Sequence, residues 1–378
     1  MKKLISAATL ALSMSVSGLA VAEPLKIGMI TTLSGGGAGL GIDTRDGFML
    51  AIKQAGNDEI EVITEDDGQK PELAVQIADK MVQSDQVDIL TGIVWSNLLM
   101  AVAPSAVAQG KFYVSTNAAP AALAGENCNP LYFNAAYQND NLHEAMGEYA
   151  NKDYKKMFIM APNYPAGKDS LTGFKRFYKG EVTSEVYTQV GQTDYAAEIA
   201  QIRASGADGV FAFLPGGMGI AFMKQYAQSG VKISIMGPGF SFSQDVLGAI
   251  GDAALGVKNS GHWAKDLDNE ANKKFVEAFQ AEYGRLPSIY AVQAYDAGQL
   301  IASAAAKADV KDTEAFRAEL LKADIQSPRG KFKFNINQHP IQDIYVREVV
   351  KDGDVLTNKI IAPVFTDHED AYAKDCKM

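Results

Sequence analysis

The chain has 378 residues, 47 % of them apolar and 21 % charged, a composition that supports buried cores and excludes disorder; the length suits two domains of ordinary size or one large one. Lys plus Arg total 35 against 45 Asp plus Glu, a formal charge of −10, which lacks the basic surface that phosphate binding needs, so no nucleic-acid partner is expected. Two cysteines are too few for a disulfide scaffold or an all-cysteine metal site, and the four histidines, His143, His262, His339 and His368, include no pair at i, i+4. No metal and no cofactor is expected.

The first residues read as an export signal. Lys2 and Lys3 precede an apolar stretch from Leu4 to Leu19, and Ala20-Val21-Ala22 places small residues where a signal peptidase reads them, so cleavage is expected after Ala22. No later stretch of roughly 18 residues is apolar and free of charge, and no cysteine follows the cleavage site, so neither a membrane anchor nor a lipid anchor is expected. The mature protein is expected to be soluble and exported.

Strands and helices then alternate. Leu25 to Ile30 reads as a buried strand, followed by a glycine-rich loop from Ser34 to Gly41 and a helix around Phe48, Ala51 and Ile52. Ile60 to Ile63 is a second strand, ending in Glu65-Asp66-Asp67-Gly68. Those acids could hold a cation, but the run reads more simply as a solvated turn. Pro71 opens a helix in which Ala74, Ile77, Ala78 and Met81 fall on one face. Val87 to Ile93 is a third strand, Leu98 to Ala108 a helix, and Phe112 to Val114 a fourth strand.

The rhythm restarts after Leu131 to Asn141, a candidate hinge. Met157 to Met160, Tyr187 to Val190, Gly209 to Leu214 and Ile233 to Met236 read as strands. Leu171 to Phe177, Ile199 to Ala204 and Ile220 to Ala227 read as helices between them. Short apolar strands separated by amphipathic helices predict parallel sheets covered on both faces, and two runs of the pattern predict two such lobes. Ala271 to Tyr283 and Tyr290 to Ala306 are long helices, and Ile344 to Val350 with Val355 to Ile361 form a late hairpin across Asp352-Gly353.

Catalytic signatures are missing. From Gly35 the third position of G-x-G-x-x-G is Leu40, and from Gly37 it is Ile42; neither G-x-x-x-x-G-K-[ST] nor G-x-S-x-G occurs. What remains is a pair of polar turns at strand ends, where open α/β sheets bind ligands. One is Trp95-Ser96-Asn97 and the other Ser115-Thr116-Asn117-Ala118. Both would present free backbone N–H groups at a helix start, which favour an anion; equally, Ser96, Thr116 and Asn117 could simply cap those helices. Trp95 reads as an aromatic wall or as a core tryptophan.

A resemblance rests on "DDGQKPELAVQIADKMV", "LTGIVWSN", "VSTNAAPAAL", "YQND" at 137–140, "APNYPAGKD" at 161–169, "SIMGPGFS" at 234–241 and "PSIYAVQAYDA" at 287–297. Their order and spacing resemble the branched-chain amino-acid-binding family of type I periplasmic binding proteins of ABC transporters, over nearly the whole mature chain. The resemblance implies two doubly wound α/β lobes joined by three crossover strands, with a ligand trapped between them and no enzymatic activity. It implies a signal peptide at 1–22, a first lobe from 23–137 and 266–342, and a second from 138–265 with a hairpin and tail at 343–378.

Carried over position by position, the resemblance makes Ser96 the ligand-carboxylate donor, Trp95 a pocket wall, and Thr116, Asn117 and Ala118 the rest of the carboxylate site. Relatives often have Thr where this chain has Ala118, so only the amide would serve there. Relatives that bind amino acids often place a Glu after the "MGP" turn to hold the ammonium; here Gly239 and Phe240 follow, and Leu214-Pro215-Gly216-Gly217 also lacks an acid. An unpaired buried charge is costly, so an organic acid without an amine, walled by Trp95, Tyr137, Tyr164 and Phe240, is the expected ligand, as in the subgroup that binds aromatic acids. Leu40 and Leu214 complete the expected lining. A branched-chain or other aliphatic acid is the alternative ligand, and a periplasmic sensor the alternative role. The expected partners are the small acid and the permease subunits of the inner membrane, with the protein itself a monomer. In an oxidising compartment, Cys128 and Cys376 are expected to form one disulfide that pins the C-terminal tail.

Overall fold

A computed structural model describes residues 24–57 and 59–378; the expected leader and its cleavage site lie outside the described residues. The first sheet is parallel, with strand order β2-β1-β3-β4-β5. Its strands are β1 (Leu25–Thr31), β2 (Ile60–Asp66), β3 (Ile89–Thr91), β4 (Phe112–Ser115) and β5 (Tyr132–Asn134), and the connecting helices are α1 (Ala38–Ala55), α2 (Pro71–Gln83), α3 (Ser96–Ala108) and the short α4 (Ala121–Ala124). β1 lies between β2 and β3, covered on both faces, which is why its residues after Lys26, from Ile27 to Ile30, read as an apolar run. On α2, Ala74, Ile77, Ala78 and Met81 are buried as the spacing predicts, with Pro71 in the first turn. β3 is shorter than the run from Val87 to Ile93. Gly92 stops it with a φ of +98°, a left-handed conformation suited to glycine, in a place where a Cβ would lie 2.8 Å from Ile30 O.

The second sheet is mixed. Strands β6 (Lys156–Pro162), β7 (Glu181–Thr188), β8 (Gly209–Ala212), β9 (Ser234–Pro238) and β10 (Lys258–Gly261) run parallel in the order β10-β9-β8-β6-β7. The helices between them are α6 (Pro165–Phe177), α7 (Ala196–Ala204), α8 (Gly217–Gln228) and α9 (Gln244–Ile250), and α5 (Asn141–Ala150) leads into β6. β11 (Lys333–Phe334), β12 (Pro340–Asp352) and β13 (Val355–His368) add antiparallel strands, with β12 paired to β10 and turned onto β13 at Asp352↔Val355. The expected hairpin is therefore present, and longer at both ends. β7 begins six residues before the expected extended stretch; as an edge strand rich in Glu and Thr it lacks the apolar run of a central strand.

The chain crosses between the sheets three times. It passes from β5 to α5, then from β10 to α10 (Glu270–Tyr283), α11 (Ile289–Ala305) and α12 (Thr313–Leu321), and returns through β11 and β12. α11 joins the first lobe: Ala294, Ala297, Leu300 and Ile301 share a core with Ile27, Phe48, Phe112 and Phe133. α1 packs so closely on α11 that a Cβ at Gly47 would lie 2.0 Å from Ala291 O, which explains that glycine.

One buried cation ties the crossings together. Arg329 donates to Asp296 Oδ2 at 2.7 Å, to Ala136 O at 2.6 Å and to Gln342 Oε1 at 3.1 Å, so a single guanidinium bridges the first crossing, α11 and the start of β12. Cys128 and Cys376 form the expected disulfide, with Cα atoms 5.6 Å apart. The tail is also held to the second lobe, where Tyr372 donates to Asp140 Oδ2 at 2.8 Å and accepts from Arg176 at 3.1 Å.

Candidate functional site

The carboxyl ends of the strands in both sheets face one cleft. Between them lies a cavity lined by Leu40, Val94, Trp95, Ser96, Asn117 and Tyr290 from the first lobe, Tyr137 from the crossing, and Tyr164, Ala166, Phe213, Pro215 and Phe240 from the second lobe. Seven of the ten residues singled out from the sequence are in this lining: Leu40, Trp95, Ser96, Asn117, Tyr137, Tyr164 and Phe240. Thr116, Ala118 and Leu214 are buried but do not line it. Leu214 uses its amide to reach Ser241 Oγ at 2.8 Å, holding the β8 turn to the β9 turn, and Thr116 Oγ1 has no hydrogen-bond partner among the described residues. A wider depression of about 680 Å³ opens at the opposite end of the first sheet, near Lys26 and Asp88, away from the carboxyl ends of the strands.

The walls are aromatic. Tyr137 and Phe240 stand 4.6 Å apart between ring centroids, Trp95 and Tyr164 6.1 Å, Tyr164 and Phe213 6.3 Å, and Phe240 and Tyr290 5.8 Å. Burial pushes the hydroxyls of Tyr137, Tyr164 and Tyr290 well up from the usual tyrosine value, so they stay protonated. The cavity itself is small, about 10 Å³, room for no more than about one water. The lobes are closed on one another in this conformation.

One end is polar. Trp95 is the N-cap of α3 and Ser96 its first helical residue, and no side-chain capping bond is made there, so the capping reading of Ser96 does not hold. Ser96 Oγ instead accepts from Asn139 Nδ2 at 3.2 Å. Asn139 Nδ2 also reaches Asp169 Oδ2 at 2.8 Å, and that oxygen accepts from the Ala121 amide at 3.1 Å. Burial raises Asp169 above the usual carboxylate range, with the Asn139 and Ala121 bonds opposing. Because Ser96 accepts from Asn139, its own hydroxyl proton can be donated toward the cavity, beside the first amides of α3. Asn117 is committed elsewhere: its amide donates to Val94 O at 2.7 Å and its carbonyl accepts from Gln293 at 2.5 Å, so it acts as wall.

In the acidic run at the end of β2, Asp67 departs from the expected solvated state. Asp67 is fully buried; its Oδ1 accepts from Thr32 Oγ1 at 2.6 Å and from the Gln69 amide at 2.8 Å. Thr32 in turn accepts from Trp95 Nε1 at 3.0 Å, which fixes the indole plane from behind the cavity. Burial raises Asp67 above the usual carboxylate range. Among the described residues no group of three or more His, Cys, Asp or Glu side chains is placed to hold a metal ion.

The sequence reading does not find Val94, Ala166, Phe213, Pro215 and Tyr290. Phe213 and Pro215 flank Leu214 at the end of β8, so the strand-end rule that selected Trp95 would reach them. Tyr290 sits in the first turn of α11, where the sequence shows only a helix start after Ser288, which caps the Tyr290 and Ala291 amides. Its place at the cleft follows from the packing of α11 on α1.

A two-lobed α/β protein with a hinged cleft between facing strand ends has the architecture of a receptor that closes on a small solute. The family of the periplasmic binding protein matches residues 24–354, and the chain belongs to it, with the type I fold. It is similar to the Leu/Ile/Val-binding protein homolog 6 of Brucella melitensis, 30 % identical over 371 residues that cover 94 % of each chain. Among solved structures it is similar to an ABC-transporter solute-binding protein from R. palustris in complex with benzoate, 31 % identical with a TM-score of 0.89 over 94 % of this chain and 100 % of that one. A second R. palustris solute-binding protein, in complex with 4-hydroxybenzoate, is 27 % identical with a TM-score of 0.85 over 92 % and 98 %. Family and fold are those of substrate-binding proteins rather than enzymes.

Proposed function

We propose that the protein is the solute-binding component of an ABC transporter, that it closes on an aromatic carboxylate such as a benzoate, and that it hands this solute to permease subunits in the inner membrane. The observation that carries the ligand class is the lining of the cleft: six aromatic rings, one donor end at Ser96, and no carboxylate among the described lining residues. The lining itself offers an ammonium no counter-charge, which is costly in a dry site. Asp169, the acid behind Ser96, is already held by Asn139 and the Ala121 amide. A ring stacked among Tyr137, Phe240 and Tyr164 gains about 0.5–1.5 kcal/mol per aromatic contact beyond its buried area.

With so small a cavity in the closed form, entry requires the lobes to part about the crossings, and ligand contacts from both lobes then favour closure. The similarity to Leu/Ile/Val-binding homologues supports a second reading, a branched-chain amino acid as ligand. Calorimetry against benzoate, 4-hydroxybenzoate, leucine and phenylalanine separates the two. Tight binding of the benzoates alone is expected; tight leucine binding with no benzoate binding would reject the aromatic reading. Export after cleavage at Ala22 belongs to the same proposal, and the mass of the mature protein from a periplasmic extract tests it.

A further inference from the structure

Across the cleft from the polar end, the first turn of α9 in the second lobe packs on α1 of the first. Asp245 lies in this contact: a Cβ on Gly39 of α1 would sit 3.4 Å from its Oδ2. Both Asp245 oxygens are shut off from solvent and have no hydrogen-bond partner among the described residues; neither has Ser243 Oγ on the same turn. The groups that face it are Asp43 on α1, Arg285 and Ser288 on the segment before α11, and Tyr290 on α11.

The charges do not balance. Arg285 is shared between Asp43 and Asp46, reaching Asp46 Oδ2 at 2.8 Å, and Arg45 also pairs with Asp46 at 2.8 Å. Two guanidinium groups thus face three carboxylates, and the one left without a cation belongs to the opposite lobe. Opening would return Asp245 to water, where an ionised carboxylate is at ease; closing buries it beside Asp43.

We propose that Asp245 is a proton-linked latch between the lobes: closure takes up one proton at its carboxylate, so that ligand is held more tightly in acid than at neutral pH. The inference rests on the closing receptor described above and not on the identity of its ligand. Burial, then the charge of Asp43, raises the closed-state carboxyl to about 7, with the charge of Arg285 opposing. A group with a raised value in the closed state supports closure fully below its open-state value. It loses that support as pH climbs through the window up to about 7.

The test is the dissociation constant for benzoate by calorimetry between about pH 5.5 and 7.5, a range over which the probe stays ionised. The wild type is expected to weaken by about tenfold or more across it, at most tenfold per pH unit for one proton. Asp245→Asn is expected to remove the slope and to bind at least as tightly as wild type at the upper pH. Asp43→Asn, which relieves the same repulsion, should flatten it in part. Small-angle scattering of the ligand-free protein reads the same equilibrium without any probe: acid should compact the wild type and leave Asp245→Asn unchanged. If benzoate does not bind, the aromatic reading fails and scattering alone decides the latch. Binding and compactness that ignore pH would overturn the proposal. So would a slope that survives in Asp245→Asn, which would trace it to another buried acid whose carboxyl is raised by burial, Asp43, Asp140 or Asp169.

Discussion

The hinge and the cleft are both buried between the lobes, yet they are built on opposite principles. At the hinge, Arg329 is surrounded by acceptors: Asp296, the carbonyl oxygens of Ala135 and Ala136, and Gln342, while Gln338 reaches Tyr132 O at 2.6 Å. At the cleft, aromatic rings from the two lobes meet with few direct bonds; Asn139 to Ser96 and the Ala121 amide to Asp169 are the polar links near the cavity. Directional bonds resist separation because each broken one leaves a buried partner unpaired. Ring contacts are non-directional and can be exchanged for a ligand's ring. On the proposed reading the crossings act as the pivot and the aromatic faces as the parts that separate.

The largest expected effect breaks the pivot. Arg329→Met strands Asp296 as an uncompensated buried charge and should cost about 3–5 kcal/mol of folding stability, read from denaturant midpoints; a loss under about 1 kcal/mol would show that the hinge does not depend on this cation. Next comes the tail. Replacing Cys128 and Cys376 by Ser should cost about 2–4 kcal/mol and expose the C-terminus to carboxypeptidase while leaving ligand affinity little changed. A large affinity change would mean that the strap joining Cys128 to Tyr372 takes part in closure.

The cleft should respond in binding rather than folding. Ser96→Ala removes the donor proposed for the ligand carboxylate and should weaken benzoate binding by about 1.5–3 kcal/mol with little change in melting temperature. Equal affinity by calorimetry would relocate the anion site. The smallest effect sharpens the cleft's own anatomy. Thr32→Val unties the Trp95 indole from Asp67 and should cost about 1–2 kcal/mol in stability, with a shift in tryptophan emission; an unchanged spectrum would show that the contacts of the ring alone hold it.

Much of this architecture is local information. The apolar run of β1, the i, i+3, i+4, i+7 face of α2 behind Pro71, and the Asp352-Gly353 turn each act within a few residues, so the sequence displays them directly. The two turns after β3 and β4 were legible for the same reason, and with them Trp95, Ser96 and Asn117. Weakly amphipathic or polar elements were not: α5 and β7 carry Glu, Thr and His where a central element would carry apolar residues, because α5 lines the polar network of Glu144, Asp140 and Arg176 and β7 is an edge.

Composition and periodicity by themselves determined an α/β chain of two similar lobes, an even cysteine pair and a set of strand-end turns. Only the tertiary structure decided which turns converge, and what each polar group has left to offer. Asp67 reads as a solvated acid until Thr32 and Trp95 are seen against it. Asn117 reads as a ligand donor until Val94 and Gln293 are found to occupy it. Tyr290 reads as a helix residue until α11 is packed on α1 at the mouth of the cleft. Hydrogen-bond vacancy and burial are properties of pairs of residues far apart in the chain, and no window along the sequence contains both members.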